Sequence, residues 1–183
     1  MQRRRLIGLG GGAALACGVR RFAAPVTAMA AALLAGCGFQ LRRPPPMPFS
    51  RIALQGFEPR SPLAETLRRA LREAAQVVAA PEQAEVVLVV ILDRTDRSIV
   101  ASTATGQVRE LQLRLQFGYR VALPDGTTLA APVQLVLARD MSFSETAALA
   151  KELEEAQQLR EMRADIASQV LRRLATVRPA PAR

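Results

Sequence analysis

From Leu111 to Val121 the chain alternates: Leu111, Leu113, Leu115, Phe117, Tyr119 and Val121 are apolar, and Gln112, Arg114, Gln116 and Arg120 stand between them. A period of two predicts a strand with one buried and one solvated face. Pro124-Asp125-Gly126 is a turn signal, so a return strand is expected from about Leu129 to Met141, with Val133, Leu135 and Leu137 inward. Pro132 cannot donate to a ladder and must fall at a bulge or an edge. Upstream, Val86 to Leu92 is apolar throughout and rich in β-branched residues, which predicts a strand over Glu85 to Arg94 covered on both faces. The stretch from Asp96 to Gly106 is polar and small and reads as a link. Arg51 to Gln55, with Ile52 and Leu54, is a further short strand.

Two segments change the period to 3.6. Ser61 followed by Pro62 is a helix start, the hydroxyl accepting from an early amide and the proline occupying the first turn. Leu63, Leu67, Ala70, Leu71 and Ala74 then recur at helical spacing, and the helix is expected to end near Ala75, before Pro81. A longer helix is expected from about Glu145 to Ala175. Its stripe comprises Leu149, Leu153, Ala156, Leu159, Met162, Ile166, Val170 and Leu174. The order β-α-β-β-β-α predicts an α+β two-layer sandwich, an about four-stranded, mostly antiparallel sheet with two helices on one face. The other face of the sheet, carrying Arg114 and Arg120, is then left open, and an exposed edge strand could pair with a partner.

The N-terminal region changes the picture more than composition does. Arg3, Arg4, Arg5, Arg20 and Arg21 precede an uncharged run from Phe22 to Gly36, with no acidic residue before Cys37. This is the layout of an export signal, and Arg3-Arg4-Arg5 fits a twin-arginine signal as well as a general one. Leu34-Ala35-Gly36-Cys37 resembles a lipobox, which implies cleavage after residue 36 and lipidation of Cys37. More than one acyl chain, at about 0.8 kcal/mol per buried methylene, makes such an anchor stable. Gly38 follows the cysteine; by resemblance to enteric lipoproteins, an aspartate there would retain the protein at the inner membrane, so the outer membrane is expected. Residues 37–50, including RRPPPMPFS, read as a lipidated, proline-rich tether. Residues 51–175 read as one domain and 176–183 as a disordered tail.

Five of the 25 basic residues lie before Cys37, leaving 20 against 16 acidic ones, a net of +4. That balance suits an anionic lipid or glycolipid. One tyrosine, no tryptophan and an export signal argue against nucleic acid. There is no histidine, which removes the commonest general base and histidine metal ligation. No phosphate loop, metal-ligand spacing or nucleophile elbow is present. Ser144 with Lys151, the chain's single lysine, is the one conceivable nucleophile pair, but a serine at a helix start is ordinarily a cap. The pairs Glu154-Glu155 and Asp93 with Asp96 read as solvated surface. No catalytic residue, cofactor or metal is expected.

These motifs together resemble the LPS-assembly lipoprotein LptE family. Leu34-Ala35-Gly36-Cys37-Gly38-Phe39-Gln40-Leu41-Arg42 is similar to its opening. Ser61-Pro62-Leu63-Ala64, Gly106-Gln107 with Glu110-Leu111, and Ala148-Leu149-Ala150-Lys151 follow in the same order. So does Glu161-Met162 with Asp165 and Gln169-Val170-Leu171-Arg172-Arg173-Leu174. The resemblance spans essentially the mature chain. It implies an outer-membrane lipoprotein that plugs and supports the LptD β-barrel and helps deliver lipopolysaccharide, without catalysis. It also implies lipopolysaccharide contact through basic residues, of which Lys151 is one matching position. Where the family has a second basic residue before the Gly-Gln pair, this chain has Ala104-Thr105, leaving Arg109 or Arg97 to supply the charge. The rival reading is an auxiliary lipoprotein of another envelope transport system, without lipopolysaccharide binding.

Overall fold

The computed structural model describes residues 45–178; the expected signal segment and Cys37 lie outside them. The elements are β1 (Arg51–Gln55), α1 (Pro62–Arg72), β2 (Gln76–Val78), β3 (Val86–Ser102), β4 (Val108–Ala122), β5 (Thr128–Ser142) and α2 (Ala148–Leu174). Single 3-10 turns at Pro81–Gln83 and Glu145–Ala147 lead into β3 and α2. One sheet has the order β2-β1-β3-β4-β5. β1 lies parallel to both β2 and β3, and β3, β4 and β5 form an antiparallel meander.

The expected fold class holds, with a fifth strand added. Gln76–Val78 is only three residues long, too short to carry a period. It forms because α1 ends at Arg72 and returns the chain alongside β1, where Gln76 N–H donates to the Ser50 carbonyl at 2.8 Å. The alternating strand is as expected: Leu111, Leu113, Leu115, Phe117, Tyr119 and Val121 are all buried. They join Leu63, Leu67 and Leu71 of α1 and Met162, Ile166, Val170 and Leu174 of α2 in one core. Both helices therefore cover one face of the sheet.

Three expectations are corrected. The link read over Asp96 to Gly106 is strand as far as Ser102, and a turn closes it: Thr103 N–H donates to Gln107 O and Gly106 N–H to Thr103 O. Polar side chains do not stop a strand whose backbone is paired, and β3 is laddered to β4 out to Ser102. Gly106 has φ +84°, the left-handed turn position that glycine occupies without strain. Second, the stripe on the last helix packs only from Leu159 onward; Leu149 and Leu153 are 71% and 67% exposed. Third, Phe49 is buried in the core and Met47 packs against it, so the folded unit begins inside the segment read as tether. Val177 is likewise buried, so the fold runs past the expected end at Ala175.

A bulge in β3 decides what the far half of the sheet presents. Val90 pairs with Tyr119 and Leu92 with Gly118, so Ile91 is an extra residue. Directly opposed residues share a face, so Leu88 and Val90 face the helices before the bulge. Beyond it Asp93, Thr95, Arg97 and Ile99 do so, opposite Phe117, Leu115, Leu113 and Leu111. Without the extra residue the charged positions would exchange faces. On β5 the register shifts between Tyr119–Val133 and Val121–Ala130, which places Pro132 at an irregularity on an edge strand.

Candidate functional site

The long strands outrun the two helices' shared core, and the three sequence-derived cations gather at that far end around Ser142 and Phe143. Lys151, in the first turn of α2, donates from Nζ to Ser142 Oγ at 2.9 Å and to Glu154 Oε2 at 2.7 Å. The guanidinium of Arg97, turned to this face by the bulge, lies 5.8 Å from the centroid of the Phe143 ring and 3.5 Å from Glu155 Oε2. Arg109 enters through its backbone, its carbonyl accepting from Phe143 N–H at 2.7 Å, with its side chain exposed. The residues thus converge, with different commitments. Lys151 and Arg97 are each held by a carboxylate, and Arg109 is in no ion pair among the described residues.

An apolar hollow of about 300 Å³ lies beside them, lined by Arg97, Ser98, Ile99, Val108, Leu111 and Phe143. Ile99 is 62% exposed at its rim. The end therefore combines exposed aliphatic groups with cations, the chemistry that suits a phosphorylated lipid. Lys151 supplies a point charge, whereas Arg97 has a planar fork already resting on an aromatic face. Sequence reasoning missed Ser142, Phe143, Glu154 and Glu155 as partners. The only signal for the two glutamates was their spacing from Lys151, and neighbouring residues on a helix point to different sides.

The conceivable Ser144–Lys151 pair does not form: the Ser144 hydroxyl meets Thr146 at 2.9 Å. Asp93 and Asp96 lie on opposite faces of β3. Asp93 accepts from Ser61 Oγ at 2.6 Å on the helix side. Asp96 meets Arg94 at 2.7 Å and Gln116 at 3.2 Å on the open side, and those hydrogen bonds hold its carboxyl below the usual range. Among the described residues, Arg120 on the open face reaches only the Gly126 carbonyl, at 3.4 Å. Among the described residues no group of three or more acidic, cysteine or histidine side chains could hold a metal ion. No described helix is long and apolar enough to cross a membrane.

Comparison with known proteins agrees with this architecture. Residues 49–174 match the family model LptE, Lipopolysaccharide-assembly. The LPS-assembly lipoprotein LptE of Photorhabdus laumondii is 29% identical over 152 residues, covering 81% of this chain and 82% of that protein. The protein of the same name from Pectobacterium atrosepticum is 30% identical over 156 residues, covering 83% and 84%. Among solved structures, an uncharacterized lipoprotein B from Nitrosomonas europaea superposes with a TM-score of 0.65 at 25% identity, over 75% of this chain and 90% of that one. The rare lipoprotein B of Shewanella oneidensis gives a TM-score of 0.58 at 28% identity, over 69% and 95%. This chain belongs to the LptE family of lipopolysaccharide-assembly lipoproteins.

Proposed function

We propose that this chain, anchored through an acylated Cys37 at the periplasmic side of the outer membrane, plugs and supports an LptD-type β-barrel and helps pass lipopolysaccharide to the cell surface. Family membership carries the role in lipopolysaccharide assembly. The finer reading is supported by one observation above the rest: the end of the sheet that extends past the core carries Arg97 beside the exposed Ile99, and Lys151 of α2 is bonded to Ser142 at that end. A phosphorylated acyl lipid needs both cation and aliphatic surface. Catalysis has no part in this reading; the protein binds and positions.

Two measurements on the lipidated chain test it. Affinity purification from outer membranes should recover one large β-barrel in stoichiometric amount. Lipopolysaccharide binding should fall on Lys151→Glu with the fold intact. Recovery without a barrel would favour an auxiliary lipoprotein of another transport system, and unchanged binding would remove Lys151 from the lipid site.

A further inference from the structure

At the opposite end of α2 the groove between helix and sheet opens into a second cavity of about 380 Å³, lined by Tyr119, Val133, Leu135, Gln169, Arg172 and Arg173. Lys151 and Gln169 are eighteen positions apart in the same helix, roughly 27 Å along its axis at 1.5 Å per residue. Between them Arg139 of β5 bridges to Glu161 at 2.8 Å and Asp165 at 2.9 Å. None of the three residues of that clamp lines either cavity.

The donor set of the second cavity is one-sided. Arg172 and Arg173 are exposed, and neither meets a carboxylate among the described residues. Arg172 is steadied by a 3.1 Å hydrogen bond to Ser168 Oγ. Tyr119 is 1% exposed and its hydroxyl has no hydrogen-bond partner among the described residues. A buried hydroxyl without a partner is costly. Burial also pushes the Tyr119 phenol above its ordinary value, opposed by the positive charge of Arg173. Among the described residues no carboxylate lines the cavity, while Val133 and Leu135 give it an apolar wall.

We infer that this cavity binds a phosphate group carried on an apolar chain. The arginine forks and the Tyr119 hydroxyl would meet the phosphate oxygens, and the alkyl part would lie along Val133 and Leu135. Phosphate suits two guanidinium groups because its several oxygens accept bidentate, charge-assisted hydrogen bonds. A bare ion would leave most of the cavity and its apolar wall unused. The shared chemistry is the phosphate; a lipid headgroup and free phosphate are its two sources.

Tyr119 is the chain's single tyrosine and there is no tryptophan, so intrinsic fluorescence reports on this cavity alone. The lipidated chain in nonionic detergent is titrated with dihexanoyl phosphatidic acid, inorganic phosphate and dihexanoylglycerol. The expected result is a saturable change with phosphatidic acid, at least about tenfold tighter than with inorganic phosphate, and none with the phosphate-free lipid. Arg172→Gln with Arg173→Gln should weaken phosphatidic acid at least about tenfold, and Lys paired at both positions should restore part of it. Arg94→Gln, on the open face of the sheet and in the lining of neither cavity, should leave this binding unchanged; because the tyrosine signal arises at this cavity, the outcome stands apart from lipopolysaccharide binding at Lys151. The inference is overturned by no saturable change with any probe, by equal affinity for inorganic phosphate, or by wild-type affinity in the double glutamine variant.

Discussion

The Ser61 hydroxyl donates to Asp93 Oδ2 at 2.6 Å while accepting from Ala64 N–H at 3.1 Å. One buried side chain thereby caps α1 and ties it to β3, just past the bulge at Ile91 that turns Asp93 toward the helices. Arg163 of α2 faces the same carboxylate: burial lowers the arginine's pKa, and the charge of Asp93 opposes that. The hydrogen bond thus joins α1 to β3 at the boundary between the packed core and the long strands, within reach of the charge on α2.

Ser61→Ala removes both bonds. Loss of the cap costs about 1 kcal/mol, and Asp93, deprived of its donor, adds about 1 kcal/mol or more. Urea unfolding should show a loss of about 2 kcal/mol, with Ser61→Thr losing less. A change under about 0.5 kcal/mol would mean that the contact is incidental.

Acid should weaken the clamp at Arg139. Glu161 is held below its ordinary value of 4.5, first by its hydrogen bond from Gln157 and then by that from Arg139. A carboxyl depressed in the folded state stabilises fully above its unfolded value, and that stability is lost as pH falls through the folded one. Unfolding free energy should therefore decline below about pH 4.5, and Arg139→Gln should make that decline shallower. The pair is exposed, so the effect should also shrink in high salt. An identical acid limb in the variant would count against the clamp.

Glu154 and Glu155 compete with any anionic ligand for Lys151 and Arg97. Replacing both with Gln should tighten lipopolysaccharide binding several-fold, by roughly 1 kcal/mol, and steepen its salt dependence. Weaker binding would show instead that the carboxylates position the cations productively.

Leu149 and Leu153 contribute little to the fold because they bury little. Leu149→Ser with Leu153→Ser should change stability by less than about 0.5 kcal/mol per site. If they form a contact surface with the proposed barrel, its recovery with the purified chain should fall. Loss of stability comparable to Met162→Ala, about 2–5 kcal/mol, would mean that they pack after all.

Legibility in the sequence followed how locally each feature is encoded. The alternation from Leu111 to Val121 and the Ser61-Pro62 start were readable because side-chain direction follows from backbone period alone. The stretch from Asp96 to Gly106 reads as a link because its residues carry no apolar period; pairing to β4 makes it strand as far as Ser102. The last helix was readable as a helix, but its stripe does not say how far its partner extends. Lys151 and Arg97 could be picked out as cations, whereas the ion pairs that hold them depend on helix phase and the β3 bulge.

The sequence by itself determined the α+β class, the two amphipathic helices, the hairpin and the absence of histidine chemistry, all consequences of residue type and short-range spacing. Only the tertiary structure decided the parallel short strand beside β1, the register change at Ile91 and the two cavities at opposite ends of α2. Each of these depends on contacts between segments far apart in the chain. Such contacts are set by how the sheet and helices fill space, which no local period records.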